Sequence, residues 1–385
     1  IMSSDWSSDV CSSDLHHAPI EPVVSDEGPF RAGLVALVGR PNVGKSTILN
    51  RVLGRKLAAT THKPQTTRKN LLGILNPPGA QIGFLDTPGH HQAEGPLNRF
   101  MVAQAEDAME RADLIAYVVE ARPHGEVSPG NARIVSALKR VGKPVVVLVN
   151  KVDRVREKER LLLQLDAYAK ALGDQAVAVV PLSARRSRGL EDAVREIARA
   201  LPEGDRLFGE DELTDQPERS IAAELIREKV MLELRDELPY SATVTIDDWA
   251  DERPRLVRIM ATIHVERQPQ KGIVVGKGGE RLKSIGIRAR HELETMLDSK
   301  VFLELLVKVS RNWTSNPQRL VNLGYGEEAE GEAPDSAAIA ELVRALAAAH
   351  DLEGAGDAED GDEVGDYDEA EASSARGPAG EAPES

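Results

Sequence analysis

The stretch "GRPNVGKST", Gly39 to Thr47, spaces two glycines, a lysine and a hydroxyl residue as a phosphate-holding loop requires. Gly39 and Gly44 let the loop through Arg40, Pro41, Asn42 and Val43 turn inward, so that its N–H groups (Pro41 has none) surround α- and β-phosphate oxygens. Lys45 reaches the β- and γ-oxygens, the Ser46 hydroxyl ligates Mg²⁺, and Thr47 continues the helix whose N-terminus adds partial positive charge. An ordinary strand–helix turn would accept glycine but would not ask for Gly, Lys and Ser together.

Further motifs choose the base and the switch. In "NKVD", at the end of an apolar strand, Asn150 opens a guanine-binding motif in which the Asp153 carboxylate can accept both N1–H and the 2-amino group of guanine and Lys151 can lie along the base plane. Adenine would leave that carboxylate unpaired, a mismatch that costs far more than a missing methylene. "SAR", Ser183 to Arg185, follows the last strand and aims the Ala184 N–H at the guanine carbonyl. "DTPG" supplies Asp86, which orders Mg²⁺ through water, then Thr87, Pro88 and Gly89, whose N–H meets the γ-phosphate. In "KPQTTRKN", Thr66 or Thr67 can close over Mg²⁺ only when the γ-phosphate is present. The nucleotide is GTP, and the motif set is that of a hydrolytic switch.

These loops need a sheet to carry them. Apolar runs at 34–38, 82–85, 114–119, 145–149 and 176–181 read as buried strands. Between them, helical spacing recurs after residue 47 and over 98–111, 130–141, 156–172 and 190–201. Alternating elements of this kind predict a doubly wound, mostly parallel α/β domain over 30–201. Residues 202–217 are acidic and rich in Pro and Gly, and read as a linker.

The remainder, 218–326, reads as α-β-β-α-α-β: a helix over 218–237, strands in "ATVTIDDW" and "LVRIMATIHVE", a short apolar piece, a helix to about 297, and "VFLELLVKV". Between the short piece and the long helix stands Gly276-Lys277-Gly278-Gly279, followed by Arg281 and Lys283. This turn lacks the spacing and the terminal hydroxyl of a nucleotide loop. A bare interhelical turn is its bland explanation. The surrounding fold and charge favour a clamp on the backbone of about four unpaired nucleotides, as in KH domains.

Charge supports that division. The net charge of −15 conceals a tail, 327–385, with 19 acids against Arg344 and Arg376, while 254–319 carries 13 Lys and Arg against 6 acids. A basic rear domain suits phosphate backbone. The tail is too polar for a core and is expected to be disordered, apart from an Ala/Leu-rich helix over 336–350. Cys11 is the single cysteine, so no intramolecular disulfide forms. No run approaches the roughly 18 apolar residues of a membrane span. The start, "IMSSDWSSDVCSSDL", repeats Ser-Ser-Asp, and 1–29 reads as a non-native or disordered leader outside the fold.

Over 30–326 the motifs "GRPNVGKST", "QTTR", "DTPG", "NKVD", "GKGGERLKSIG", "VFLELLVKVSRNW" and "LGY" stand in one order. In this the chain resembles the Era family of ribosome-assembly GTPases, which join a Ras-like domain to a type II KH domain. The resemblance implies slow Mg²⁺-dependent turnover of GTP to GDP, with Thr67 as the switch threonine. It also implies binding near the 3′ end of small-subunit ribosomal RNA, help in assembling the small ribosomal subunit, a monomer, and a cytoplasmic location with peripheral membrane contact. An enzyme whose purpose is GTP turnover and an RNA-binding assembly factor timed by hydrolysis are both compatible with the motifs. The fused KH domain favours the second, and argues against a tRNA-modification GTPase.

His90 departs from the family pattern. Ras-like enzymes place there a Gln that orients the attacking water, and Era-family proteins usually an apolar residue. A neutral imidazole could accept from that water, as in translation-factor GTPases, whereas an outward His in a polar loop needs no explanation. Single-turnover hydrolysis by His90→Ala separates the two readings. A fall of at least about tenfold at unchanged GTP affinity marks water positioning, and a change under about threefold marks a surface residue.

Overall fold

Strand β1 (Arg31–Val38) is buried on both faces, which is why it reads as one apolar run. Val35 and Leu37 pack into one layer of helices, and Ala36 and Val38 into the other. The computed structural model describes residues 28–63, 66–88, 95–122, 126–234, 238–253, 255–325 and 337–351. The first domain continues with α1 (Lys45–Leu53), β2 (Leu71–Leu75), β3 (Ala80–Asp86), α2 (Pro96–Arg111), β4 (Leu114–Glu120) and α3 (Pro129–Val141). It ends with β5 (Val145–Asn150), α4 (Lys158–Leu172), β6 (Ala176–Pro181) and α5 (Leu190–Ala200).

The six strands lie in the order β2-β3-β1-β4-β5-β6, all parallel except β2, which runs antiparallel to β3. Helices α1 and α5 cover one face, and α2, α3 and α4 the other. This is the doubly wound sheet that the apolar runs predict. Strand β2 escapes sequence reading because it is a short edge strand with a glycine inside. A Cβ at Gly73 would lie 2.6 Å from a methyl of Leu53.

The segment expected to be a plain linker is pinned along that edge. Gln81, fully buried on β3, accepts from the Leu207 and Phe208 N–H groups at 2.7 and 2.8 Å and donates to the Phe208 carbonyl at 2.9 Å. The Ile74 N–H donates to the Leu213 carbonyl at 2.8 Å. An exposed sheet edge is thereby covered.

The second domain comprises α6 (Glu218–Glu233), β7 (Thr243–Arg253), β8 (Leu256–Val265), α7 (Gln268–Val275), α8 (Glu280–Leu297), β9 (Lys300–Val309) and a short α9 (Pro317–Asn322). Its sheet runs β7-β8-β9, with β7 antiparallel and β9 parallel to β8, the α-β-β-α-α-β order of a type II KH domain. The short apolar piece before the glycine turn is the helix α7, as the α-β-β-α-α-β order expects. Helix α6 buries Ile221, Leu225, Ile226 and Val230, and ends four residues earlier than its spacing predicts. After the KH domain, α10 (Ala337–Asp351) stands close to the helix expected over 336–350, and packs on α2 and α3.

The domains share one interface. Lys56 pairs with Glu228 at 2.7 Å and with Glu292, and Lys229 pairs with the same two carboxylates. Two cations and two anions of low exposure thus neutralise one another, as burial requires.

Candidate nucleotide site and the second glycine turn

The phosphate loop sits at the carboxyl end of β1, where open α/β sheets bind ligands. Its glycines are there because other chain segments come too close for a side chain. A Cβ at Gly39 would lie 2.4 Å from the Val118 carbonyl oxygen, and one at Gly44 2.3 Å from Asn150 Nδ2. Gly44 also has a φ of 105° and caps α1, whose first residue is Lys45. Lys45 Nζ is buried and donates to the Gly39 carbonyl at 2.9 Å and the Arg40 carbonyl at 3.3 Å. Arg40, Pro41, Asn42, Val43 and Thr47 complete this loop and the first helical turn, with Asn42 in the left-handed region at φ 62°.

Three oxygen groups converge beside it. Ser46 Oγ donates to Asp86 Oδ2 at 2.6 Å, Thr67 Oγ1 donates to the same oxygen at 3.0 Å, and the two hydroxyls are 3.0 Å apart. Asp86 Oδ1 is buried with no hydrogen-bond partner. Hard oxygens around one orphaned carboxylate oxygen fit Mg²⁺, which prefers such ligands together with phosphate. Ser46, Thr67 and Asp86 would hold it, and its chemistry there is to neutralise phosphate charge. Thr66 faces elsewhere: its hydroxyl lies 2.6 Å from Thr61 Oγ1 and 2.7 Å from the Lys63 carbonyl. Thr87 fixes the strand end by donating to the Leu37 carbonyl at 2.8 Å, and Pro88 is buried behind it. Gly89 and His90 lie outside the described residues.

Electrostatics match this geometry. Burial pushes the Lys45 ammonium down to about 8, with Asp86 opposing the shift. Burial pushes the Asp86 carboxyl up, and Lys45 and the two hydroxyls pull it back. Each group is short of the opposite charge that a polyphosphate and a divalent cation would bring.

The base end is braced by Asn150. Its Nδ2 donates to the Val43 carbonyl at 2.8 Å, and its Oδ1 accepts from the Lys151 and Ala184 N–H groups at 2.8 and 3.0 Å. The Ala184 donor, expected to face the guanine carbonyl, is therefore engaged by Asn150. The buried amide needs the donor for itself. Ser183 Oγ donates to Asp153 Oδ1 at 2.5 Å, leaving the second carboxylate oxygen for a base edge. Burial alone would raise the Asp153 pKa, but the Ser183 hydroxyl, Arg186 and Arg154 hold it below the usual carboxylate range. Lys151 is steered by Glu120, 2.8 Å away at the end of β4, a residue that no motif singles out.

At the second turn, Gly276, Gly278 and Gly279 all have positive φ, at 74°, 60° and 83°. A Cβ at Gly276 would strike Arg281 at 2.8 Å, whereas Gly278 and Gly279 face open space. Lys277 and Lys283 are exposed, and so are the apolar Ile273 and Ile287 on α7 and α8. Arg281 donates from Nη1 to the Ile273 carbonyl at 2.5 Å and so splints the turn.

Sequence reasoning assigned no role to residues that tie the two sites together. Arg68 is fully buried and donates to the Ala242 and Tyr240 carbonyls at 3.0 and 2.7 Å. Its guanidinium lies 5.6 Å from the Trp313 ring centroid and 5.9 Å from that of Tyr325. Arg227 donates to the Thr66 carbonyl, and Lys63 Nζ to the Met231 and Leu234 carbonyls. "QTTR", the Trp313 of "VFLELLVKVSRNW" and "LGY" were the sequence signals for this contact.

A phosphate loop, a guanine-reading loop and a Mg²⁺-type oxygen set on a doubly wound sheet, joined to a type II KH domain, define a KH-bearing P-loop GTPase. Residues 34–151 match the model of the 50S ribosome-binding GTPase family, and residues 237–314 that of the KH domain. GTPase Era of Geobacter metallireducens is 47% identical over 302 residues, covering 78% of this chain and 99% of that protein. GTPase Era of Syntrophus aciditrophicus is 45% identical over 299 residues, covering 77% and 96%. Among solved structures, an Aquifex aeolicus Era variant bound to GDP and aluminium fluoride superposes with a TM-score of 0.73 at 40% identity, over 77% of this chain and 100% of that one. Era in complex with MgGDPNP and nucleotides 1506–1542 of 16S ribosomal RNA gives 0.72 at 40% identity with the same coverage. The chain belongs to the Era family of GTPases.

The Lys45 shift generates a prediction. A buried lysine with a lowered pKa destabilises the empty fold progressively as pH drops from the free-lysine range to about 8. Phosphate oxygens should restore its proton. GDP binding should therefore take up about half a proton near pH 8, rising toward one near pH 9.5. Calorimetric titration in two buffers of different ionisation heat reads this directly, and equal heats in the two buffers at both pH values would show Lys45 already charged.

Proposed function

We propose that this chain is a GTP-driven switch that binds the 3′ end of small-subunit ribosomal RNA through its KH domain and assists small-subunit assembly. Hydrolysis resets the bound state. The observation that carries this reading is the hold of the KH domain on the switch segment. Thr67 stands between Thr66, whose carbonyl is taken by Arg227, and Arg68, whose side chain is buried among KH residues. Any change that moves Thr67 with the γ-phosphate must move these contacts too.

The hold extends toward the second turn. Lys63 bonds the carbonyls at the end of α6, and Glu233 there accepts from Ser284 Oγ at 2.8 Å and pairs with Arg288 at 3.4 Å. Ser284 lies one helical turn past Gly279. A short chain of polar contacts thus joins the nucleotide switch to the proposed RNA clamp at Gly276, Lys277, Gly278, Gly279 and Lys283.

The relative solved with 16S ribosomal RNA supports the substrate class, and the relative solved with GDP and aluminium fluoride supports hydrolysis. The GTPase family's name refers to the large subunit, but its model covers only 34–151 and leaves out the KH domain. The Era relatives span both domains and weigh more. Among the described residues no helix is long and apolar enough to cross a membrane. A cytoplasmic location, a monomeric chain and peripheral membrane contact belong to the same proposal and rest on the family resemblance.

Gly278→Asp places a negative side chain at a positive-φ position facing open space, where backbone must approach phosphate. It should abolish binding to the 3′-terminal segment of 16S ribosomal RNA and leave GTP affinity unchanged; an unaltered RNA dissociation constant would make the turn structural.

Arg68→Ala tests the coupling. GTP and RNA should each tighten binding of the other in the parent chain by an equal factor, in the range of about 5 to 150. In Arg68→Ala that factor should fall toward one. If it stays at the parent value, the timer reading fails.

A further inference from the structure

The Era relatives account for 77 to 79% of this chain while spanning 96 to 100% of their own length. Helix α10 follows the KH domain and is packed as a core element. Ile339, Leu342, Val343, Leu346 and Ala349 recur at helical spacing, all are buried, and all join the cluster that contains Ala105 and Met109 of α2 and Ile134 and Leu138 of α3.

The packing is specific. Glu341 pairs with Arg140 at 2.9 Å near one end of α3, and a Cβ at Gly130 would lie 3.2 Å from Ala349 near the other. The two helices are therefore antiparallel, with small residues at their closest approach. Arg344 lies within electrostatic reach of Glu106 on α2.

Helix α2 is held from two sides. Its Leu97 and Phe100 pack with Trp313, Leu320, Leu323 and Tyr325 at the end of the KH domain, while its other face meets α3 and α10. It is also the first helix after Asp86 and so belongs to the nucleotide-responsive part of the molecule.

We propose that the α2–α3 face is a helix-docking surface and that α10, its occupant in cis, straps the KH domain to the GTPase domain. Residues 326–336 separate the anchored Tyr325 from α10, a length of chain that spans at most about 40 Å. With residues 202–217 tethering the other end of the KH domain, α10 limits how far that domain travels when the switch segment lets go. The strap does not depend on which RNA the KH domain binds.

The test uses the full chain bound to GDP. Leu342→Asp/Leu346→Asp places charges in the docking seam, and Gly130→Leu pushes against Ala349 while leaving α10 itself unchanged. Amide exchange in α2 and α3 should rise at least about tenfold in both variants, with α1 and α5 unaffected. Spin labels at Leu162→Cys and Val321→Cys, both exposed positions, in a Cys11→Ser background report the domain separation. Its distribution should broaden at least about twofold on undocking. Unchanged exchange in α2 and α3 would show that α10 does not dock, and an unchanged distance distribution despite faster exchange would show that it caps the domain without strapping it. Either result overturns the proposal.

Discussion

Arg68 has no exposed surface, and much of the two-domain arrangement follows from the need to satisfy it. Burial lowers its pKa, with Tyr325 the main opposing influence. A guanidinium out of water must be hydrogen-bonded throughout, and removing the partner of such a group costs roughly 3–5 kcal/mol. Its acceptors and ring faces come from three distant stretches: the Tyr240 and Ala242 carbonyls, Trp313 and Tyr325. These are in turn locked together, since Trp313 Nε1 donates to the Ser241 carbonyl at 2.9 Å and Tyr325 stacks on Trp313. The position of one switch-segment residue therefore depends on the KH domain being complete to its last motif.

The nucleotide site divides along the same line. Its rigid half is cross-braced inside the GTPase sheet, where the Asn150 amide links the phosphate loop, "NKVD" and "SAR" into one unit. Its other half is Thr67, whose neighbours Thr66 and Arg68 are held by the KH domain. The oxygen set thus joins Ser46 and Asp86 of the braced half to Thr67 of a segment that the second domain holds.

Helix α10 explains a puzzle of composition. An Ala/Leu-rich stretch inside a strongly acidic tail looks out of place in the sequence, but its apolar face is spent on α2 and α3. Helix α2 is thereby gripped by both C-terminal elements, the end of the KH domain and α10.

Short windows of sequence were enough wherever the chemistry is local. Gly39, Gly44, Lys45 and Ser46 lie within one turn of chain, and Asn150 to Asp153 within another, so residue type and spacing already specify phosphate and guanine. Apolar runs fixed by burial on both faces made five of the six strands of the GTPase sheet legible, and β2 was not, because an edge strand takes its order from its neighbour. The engagement of Ala184 by Asn150, the pinning of 202–217 on Gln81, and the burial of Arg68 were decided only in three dimensions. In each case the partner lies at least 34 residues away. Periodicity tells which face of an element is buried, but not against what. A hydrogen bond is worth having only where the fold has already excluded water, and that exclusion is a property of the assembled domains.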